Sequence, residues 1–160
     1  MQIKDIIEKL SSYNLFNYLF PGYVFTSILE LTTGFLPRQP ELRVLDIVLV
    51  YFAGLVISRT GSLVIEETLK KFIDIGTLNT GKLLTAFKDN LKLDVIHEAM
   101  NMYRTLATAS LILVFFTIMD LIINHSKVSY GLFYIIAELA ITTLFIFAFR
   151  KQRQKVLECL

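Results

Sequence analysis

Cysteine is almost missing from this chain: Cys159 is the only one in 160 residues. No intrachain disulfide and no cysteine-based metal cluster can form within one copy. Cys159 lies one residue from the C-terminus beside basic residues, which reads as a bystander thiol or an acylation site. Histidine is nearly as scarce, with His97 and His125 alone. His97-Glu98 is not followed by a second histidine four residues on, so the zinc-hydrolase spacing is absent, and no glycine-rich loop is present to cradle a phosphate. Internal repeats and low-complexity tracts are also lacking. These absences point away from an enzyme and from a resident cofactor or metal, and no direct nucleic-acid binding is expected.

What the chain has in excess is apolar residues, 54% of the total, against about 45–50% for an ordinary soluble domain. The excess is concentrated in four blocks, 15–36, 44–65, 105–123 and 130–149. Each is about long enough to cross a hydrocarbon core of roughly 30 Å as a helix. What remains is too short for a second enzyme domain of ordinary size. The expected fold is therefore all-α: an integral membrane four-helix bundle, residues 1–160 forming one domain. Short amphipathic helices would form a cap over 66–104, and a basic tail over 150–160 would continue the fourth helix.

The first twelve residues place Ile3, Ile6, Ile7 and Leu10 on one helical face and Lys4, Asp5, Glu8 and Lys9 elsewhere. This is the pattern of a surface-lying amphipathic helix. The block that follows is too long for a signal core and has no small-residue cleavage site. Pro21-Gly22 interrupts that block, either as a kink within the crossing or as its start, with 14–20 an interfacial turn. Pro37 to Arg43 reads as a short loop. The second block becomes amphipathic through Glu66, Glu67, Lys70, Lys71 and Asp74, and Gly76 is a plausible helix end. Leu83, Leu84 and Phe87, then Leu93, Ile96, Met100 and Tyr103, mark two short cap helices.

Lys and Arg are distributed unevenly. Lys4, Lys9, Lys70, Lys71, Lys82, Lys88, Lys92, Arg104, Arg150, Lys151, Arg153 and Lys155 fall on one side, twelve in all, and Arg38, Arg43 and Lys127 on the other. By the positive-inside rule this puts both termini and the cap in the cytoplasm.

Four ionisable residues, Glu30, Arg59, Asp120 and Glu138, fall inside the apolar blocks. Each charge near the bilayer centre costs at least about 2.5–3.5 kcal/mol, so each needs a partner or water. Arg59 and Glu138 differ in expected depth by roughly 9 Å at 1.5 Å per residue, within reach if their helices are adjacent. They read either as a polar path or switch, or as structural ties. Glu30 and Asp120 fall toward the outer half and read as structural. Gly54, Ser58, Gly61 and Ser62 form a small-residue stripe beside Arg59, the pattern of closely packed membrane helices within one chain or between copies. Lys82, Lys88, Lys92 and Arg104 are candidates for contact with an acidic partner or anionic headgroups.

Three stretches, Asn17-Tyr18-Leu19-Phe20-Pro21-Gly22, Gly54 to Ser62 with Glu66, and Asn101-Met102-Tyr103-Arg104-Thr105, resemble motifs of small bacterial membrane proteins found near anti-phage defence genes. The architecture is similar to small four-helix membrane components of defence systems such as the KwaA component of Kiwa. The motif resemblance covers the first two helices and the start of the third. It implies a membrane-embedded defence component that forms a homo-oligomer and holds a cytoplasmic protein partner. It carries over no catalytic residues. The residues alone support two expectations: a membrane anchor or sensor-effector working through partners, and a pore or small transporter using Arg59 and Glu138.

Overall fold

The structure is a computed structural model, and it describes residues 14–34, 44–72, 91–124 and 128–159. All of these are helical except Gly34 and Cys159. Helix α1 begins with a π-helical turn, Leu15–Leu19, and continues as Phe20–Thr33. Helix α2 runs through Val44–Thr60, a second π turn at Gly61–Ile65, and Glu66–Phe72. Helix α3 spans Leu91–Asn124 and helix α4 Val128–Glu158.

Among the described residues three helices are long and apolar enough to cross a membrane: α2 over Val44–Phe72, α3 over Leu93–Ile123 and α4 over Gly131–Glu158. Helix α1 is not among them, because Asn17, Tyr18, Pro21, Gly22, Tyr23 and Glu30 dilute its apolar content. The described residues are thus all-α as expected, and three of the four expected spans have sufficient length and composition to cross a membrane. The outward surfaces fit a lipid solvent, with Leu63, Ile123, Phe133, Ile136 and Leu144 all exposed. Several hydroxyls on these surfaces are satisfied within their own helices. Thr60 and Thr143, for example, donate to the carbonyls of Val56 and Leu139 at 3.0 and 2.8 Å. Lipid offers a hydroxyl no partner of its own, so this back-bonding removes the cost.

Pro21 sits inside a continuous helix, so 14–20 is not a separate turn. The π turn just before it carries the Phe20 N–H to the Leu15 carbonyl. Widening the turn ahead of the proline makes room for a ring that would otherwise press on the backbone one turn back. Helix α1 ends at Gly34, whose φ of 65° lets its N–H cap the Glu30 carbonyl at 2.8 Å.

Helix α3 is the axis of the fold. Helices α1 and α2 pack on each other and on α3, while α4 lies along α3 and not along α2. The crossing of α1 and α2 is backbone against backbone. A Cβ on Gly22 would sit on the Val50 carbonyl oxygen, and one on Gly54 on the Tyr18 carbonyl oxygen. Tyr18 and Tyr51 close the same crossing edge to face, with ring centroids 5.7 Å apart.

At 34 residues, α3 is about 51 Å long, well beyond the roughly 30 Å of a bilayer core. Its first turns, with the ends of α2 and α4, form a charged end with its own apolar core: Leu69, Leu93, Met100, Phe149 and Val156. The stretch Leu93 to Tyr103, expected as a separate cap helix, is the beginning of α3. The basic tail does continue α4, as far as Glu158. The N-terminal amphipathic helix, the 37–43 loop and the first cap helix around Leu83 lie outside the described residues.

Candidate functional site

Two polar sites lie inside the bundle. The first is at the charged end, one residue beyond the apolar stretch 44–65. Glu66 on α2 accepts a hydrogen bond at 2.7 Å from Arg104 Nη1 on α3, and another at 2.7 Å from Arg153 Nη1 on α4. One carboxylate thus ties three helices, each guanidinium taking its own oxygen. Lys70 adds a longer contact at 3.6 Å and pairs more closely with Glu67, at 2.6 Å. The Arg153 side chain is 1% exposed and its guanidinium lies 5.9 Å from the Phe149 ring centroid. Burial alone would push the Glu66 carboxyl up. The hydrogen bond from Arg153 and the charges of Arg104 and Arg153 outweigh it and hold the carboxyl below its ordinary value.

The second π turn explains how Glu66 comes to face inward. In a regular helix, residues seven apart share a face, so Arg59 and Glu66 would point the same way. Arg59 is exposed, yet Glu66 is half-buried and turned toward α3 and α4. The π turn between them, with the Glu66 N–H on the Gly61 carbonyl, inserts one residue. That turns everything after it by about 100°.

The second site is Glu138, near the middle of the apolar stretch 130–149 of α4 and 4% exposed. Its carboxylate faces α3, where the Thr117 hydroxyl lies 3.2 Å from both oxygens. Its backbone carbonyl accepts from Ser110 of α3 and from Thr142, both at 2.8 Å. Fifteen residues separate it from Arg153, about 22 Å along the helix at 1.5 Å per residue. The two sites are therefore distinct.

Among the residues singled out from sequence, Gly54 lies against α1. Gly61 lies against Thr108 and Arg104 of α3. Ser58 is buried, and Ser62 is half-buried with its hydroxyl on the Arg59 carbonyl at 2.9 Å. The Arg59 guanidinium makes no ion pair or hydrogen bond with any described residue. It does not meet Glu138: Arg59 is exposed, while the Glu138 carboxylate is buried against Thr117 of α3. Arg104 is occupied by Glu66. Lys82 and Lys88 lie outside the described residues, and of Lys92 only the backbone is described. His97 is half-buried on α3, its Nδ1 3.4 Å from the Asn101 amide nitrogen. Glu30 and Asp120 are half-buried, and Cys159 is exposed. Among the described residues no group of His, Cys, Asp or Glu could hold a metal ion.

The Glu66–Arg104–Arg153 tie is what sequence reasoning missed. The signal was present: one carboxylate and two guanidiniums stand at the same boundary of the second, third and fourth apolar blocks. Thr117 and Ser110 carried no comparable signal, since hydroxyls are spread through every block. No known protein family, curated protein or solved structure matches the chain.

Proposed function

We propose that the chain is a multi-pass membrane anchor or sensor-effector that assembles as a homo-oligomer and acts through a protein partner at its charged end. In this reading α1 is the fourth crossing. The Lys and Arg bias sets the charged end and both termini on the cytoplasmic side of a bacterial inner membrane. The motif resemblance adds a role in anti-phage defence. The observation that carries the reading is the Glu66 tie. It clamps the extensions of α2, α3 and α4 into one body beyond the apolar stretches, with Phe72 and Val95 exposed on its surface. A rigid platform of this kind is suited to holding a partner and to passing on a change in helix packing.

The test is the mass of the purified protein in lipid nanodiscs, together with cross-linking in cells. A defined oligomer is expected, and Phe72→Asp with Val95→Asp should abolish partner capture without changing oligomer mass. A strict monomer with no cytoplasmic partner would overturn the reading.

The second reading is a pore or small transporter, favoured by the intramembrane carboxylate of Glu138. Arg59 is exposed on α2 while the Glu138 carboxylate is buried against Thr117 of α3, so a shared path would need more than one copy. Under this reading Glu138→Gln and Arg59→Ala change ion flux across liposomes. Unaltered flux with folded protein would exclude it.

A further inference from the structure

A lateral groove of about 130 Å³ opens between α1 and α4, with α3 as its floor. Its walls include Ile28, Ala109, Leu113, Ala137, Ile141 and Glu138. The small side chains Ala109 and Ala137 are what leave the space. Among the described residues of the lining, Glu138 is the only charged-type one and Tyr134 the only other titratable one. The residues of α3 that bond Glu138 are Thr117 and Ser110, both neutral. Asp120, three residues beyond Thr117, and Glu30 of α1 do not line the groove.

The hydrogen bonding of Glu138 contrasts with that of Glu66. Glu66 receives two bonds of 2.7 Å from two cations. Glu138 has one hydroxyl, 3.2 Å from both of its oxygens, and no cation among the described residues. A hydroxyl bonded to a charged carboxylate closes to about 2.5–2.7 Å, and it has one proton to give. A buried charge without a counter-ion or a full set of donors is the state that proteins avoid by neutralising the group.

We propose that Glu138 is a proton-binding site inside the membrane, occupied by a proton near neutral pH and reached from the bilayer through this groove. In the neutral form the carboxyl O–H donates to the Thr117 hydroxyl oxygen. The site then contains no unbalanced charge. The proposal rests on the membrane reading, because the groove must open onto lipid rather than water.

Two measurements on the full chain in lipid nanodiscs test it. Infrared difference spectra of wild type against Glu138→Gln should show a protonated-carboxyl carbonyl band near neutral pH. Its absence overturns the proposal. Separately, the hydrophobic reagent dicyclohexylcarbodiimide should modify Glu138 in the wild-type protein, as mapped by peptide mass spectrometry. A water-soluble carbodiimide should label the exposed Glu67 and Glu158 but not Glu138. Ala137→Phe should fill the groove and remove the hydrophobic labelling while the infrared band persists. Labelling of Glu138 by the water-soluble reagent, or none by the hydrophobic one, overturns access from the bilayer. Release of the protein from membranes by alkaline carbonate would sink the membrane reading by itself, without touching the infrared result.

Discussion

Arg153 and Glu66 are 87 positions apart in sequence and meet at 2.7 Å, on two helices that otherwise pack on a third rather than on each other. The same carboxylate holds Arg104 of that third helix at 2.7 Å. The bridge therefore closes a ring through α2, α3 and α4. Removing one partner of a buried ion pair leaves the other charge uncompensated and typically costs about 3–5 kcal/mol. Glu66→Gln should lower stability by about that amount, measured by thermal unfolding in detergent. Replacing all three residues together with apolar side chains of similar size should cost much less, because no charge is then stranded.

The tie also sets a pH dependence. Glu66 has a folded-state value below the ordinary carboxylate value of 4.5. Its stabilisation is complete above that ordinary value and is lost as the pH falls through the lowered one. The difference in melting temperature between wild type and Glu66→Gln should hold from neutral pH down to the ordinary carboxylate range. It should then shrink on further acidification. A difference that instead grew on acidification would contradict the geometry.

The π turn at Gly61–Ile65 predicts an unusual deletion phenotype. Leu63 is exposed on the outer face and makes no core contact worth protecting. Deleting it would restore a regular helix and rotate Glu66 away from both arginines by about 100°. The deletion should destabilise about as much as Glu66→Gln, by roughly 3–5 kcal/mol, whereas Leu63→Ala should be nearly silent.

Arg59 should behave unlike the other two arginines. It is exposed and bonds to no described residue, so Arg59→Gln should change stability by no more than about 0.5 kcal/mol. Arg153→Gln, by contrast, strands a share of the Glu66 charge. Parallel melting curves of the two variants separate these outcomes.

Gly22 and Gly54 should tolerate nothing larger than hydrogen. Each faces backbone rather than a flexible side chain, so even alanine forces the helices apart. Overpacking of this kind costs about 1–3 kcal/mol and occasionally more. Gly22→Ala and Gly54→Ala should each separate α1 from α2, read as loss of a disulfide cross-link engineered between them. Substitution of the half-buried Ser62 should leave that cross-link intact.

Much of the architecture is legible in the order of residues. Apolar blocks of about 20 residues have few options other than helices in lipid, since an unpaired backbone there is too costly. That alone argues for helices through the apolar blocks, and among the described residues three of the four expected crossings have the length and composition for it. The small-residue stripe marks where helices approach closely, because only the absence of a side chain permits it. Which polar groups meet is another matter. Arg59 and Glu138 look like partners by charge and depth, but one is exposed on α2 and the other is buried against α3. Glu66 and Arg59 look like neighbours on one face, but a single extra residue in the π turn rotates Glu66 about 100° away from Arg59. Pairing depends on helix adjacency and rotation, which arise from packing the whole chain at once. The tertiary structure alone therefore decided that Glu66 is the shared anchor of two arginines and that Glu138 is buried against a threonine.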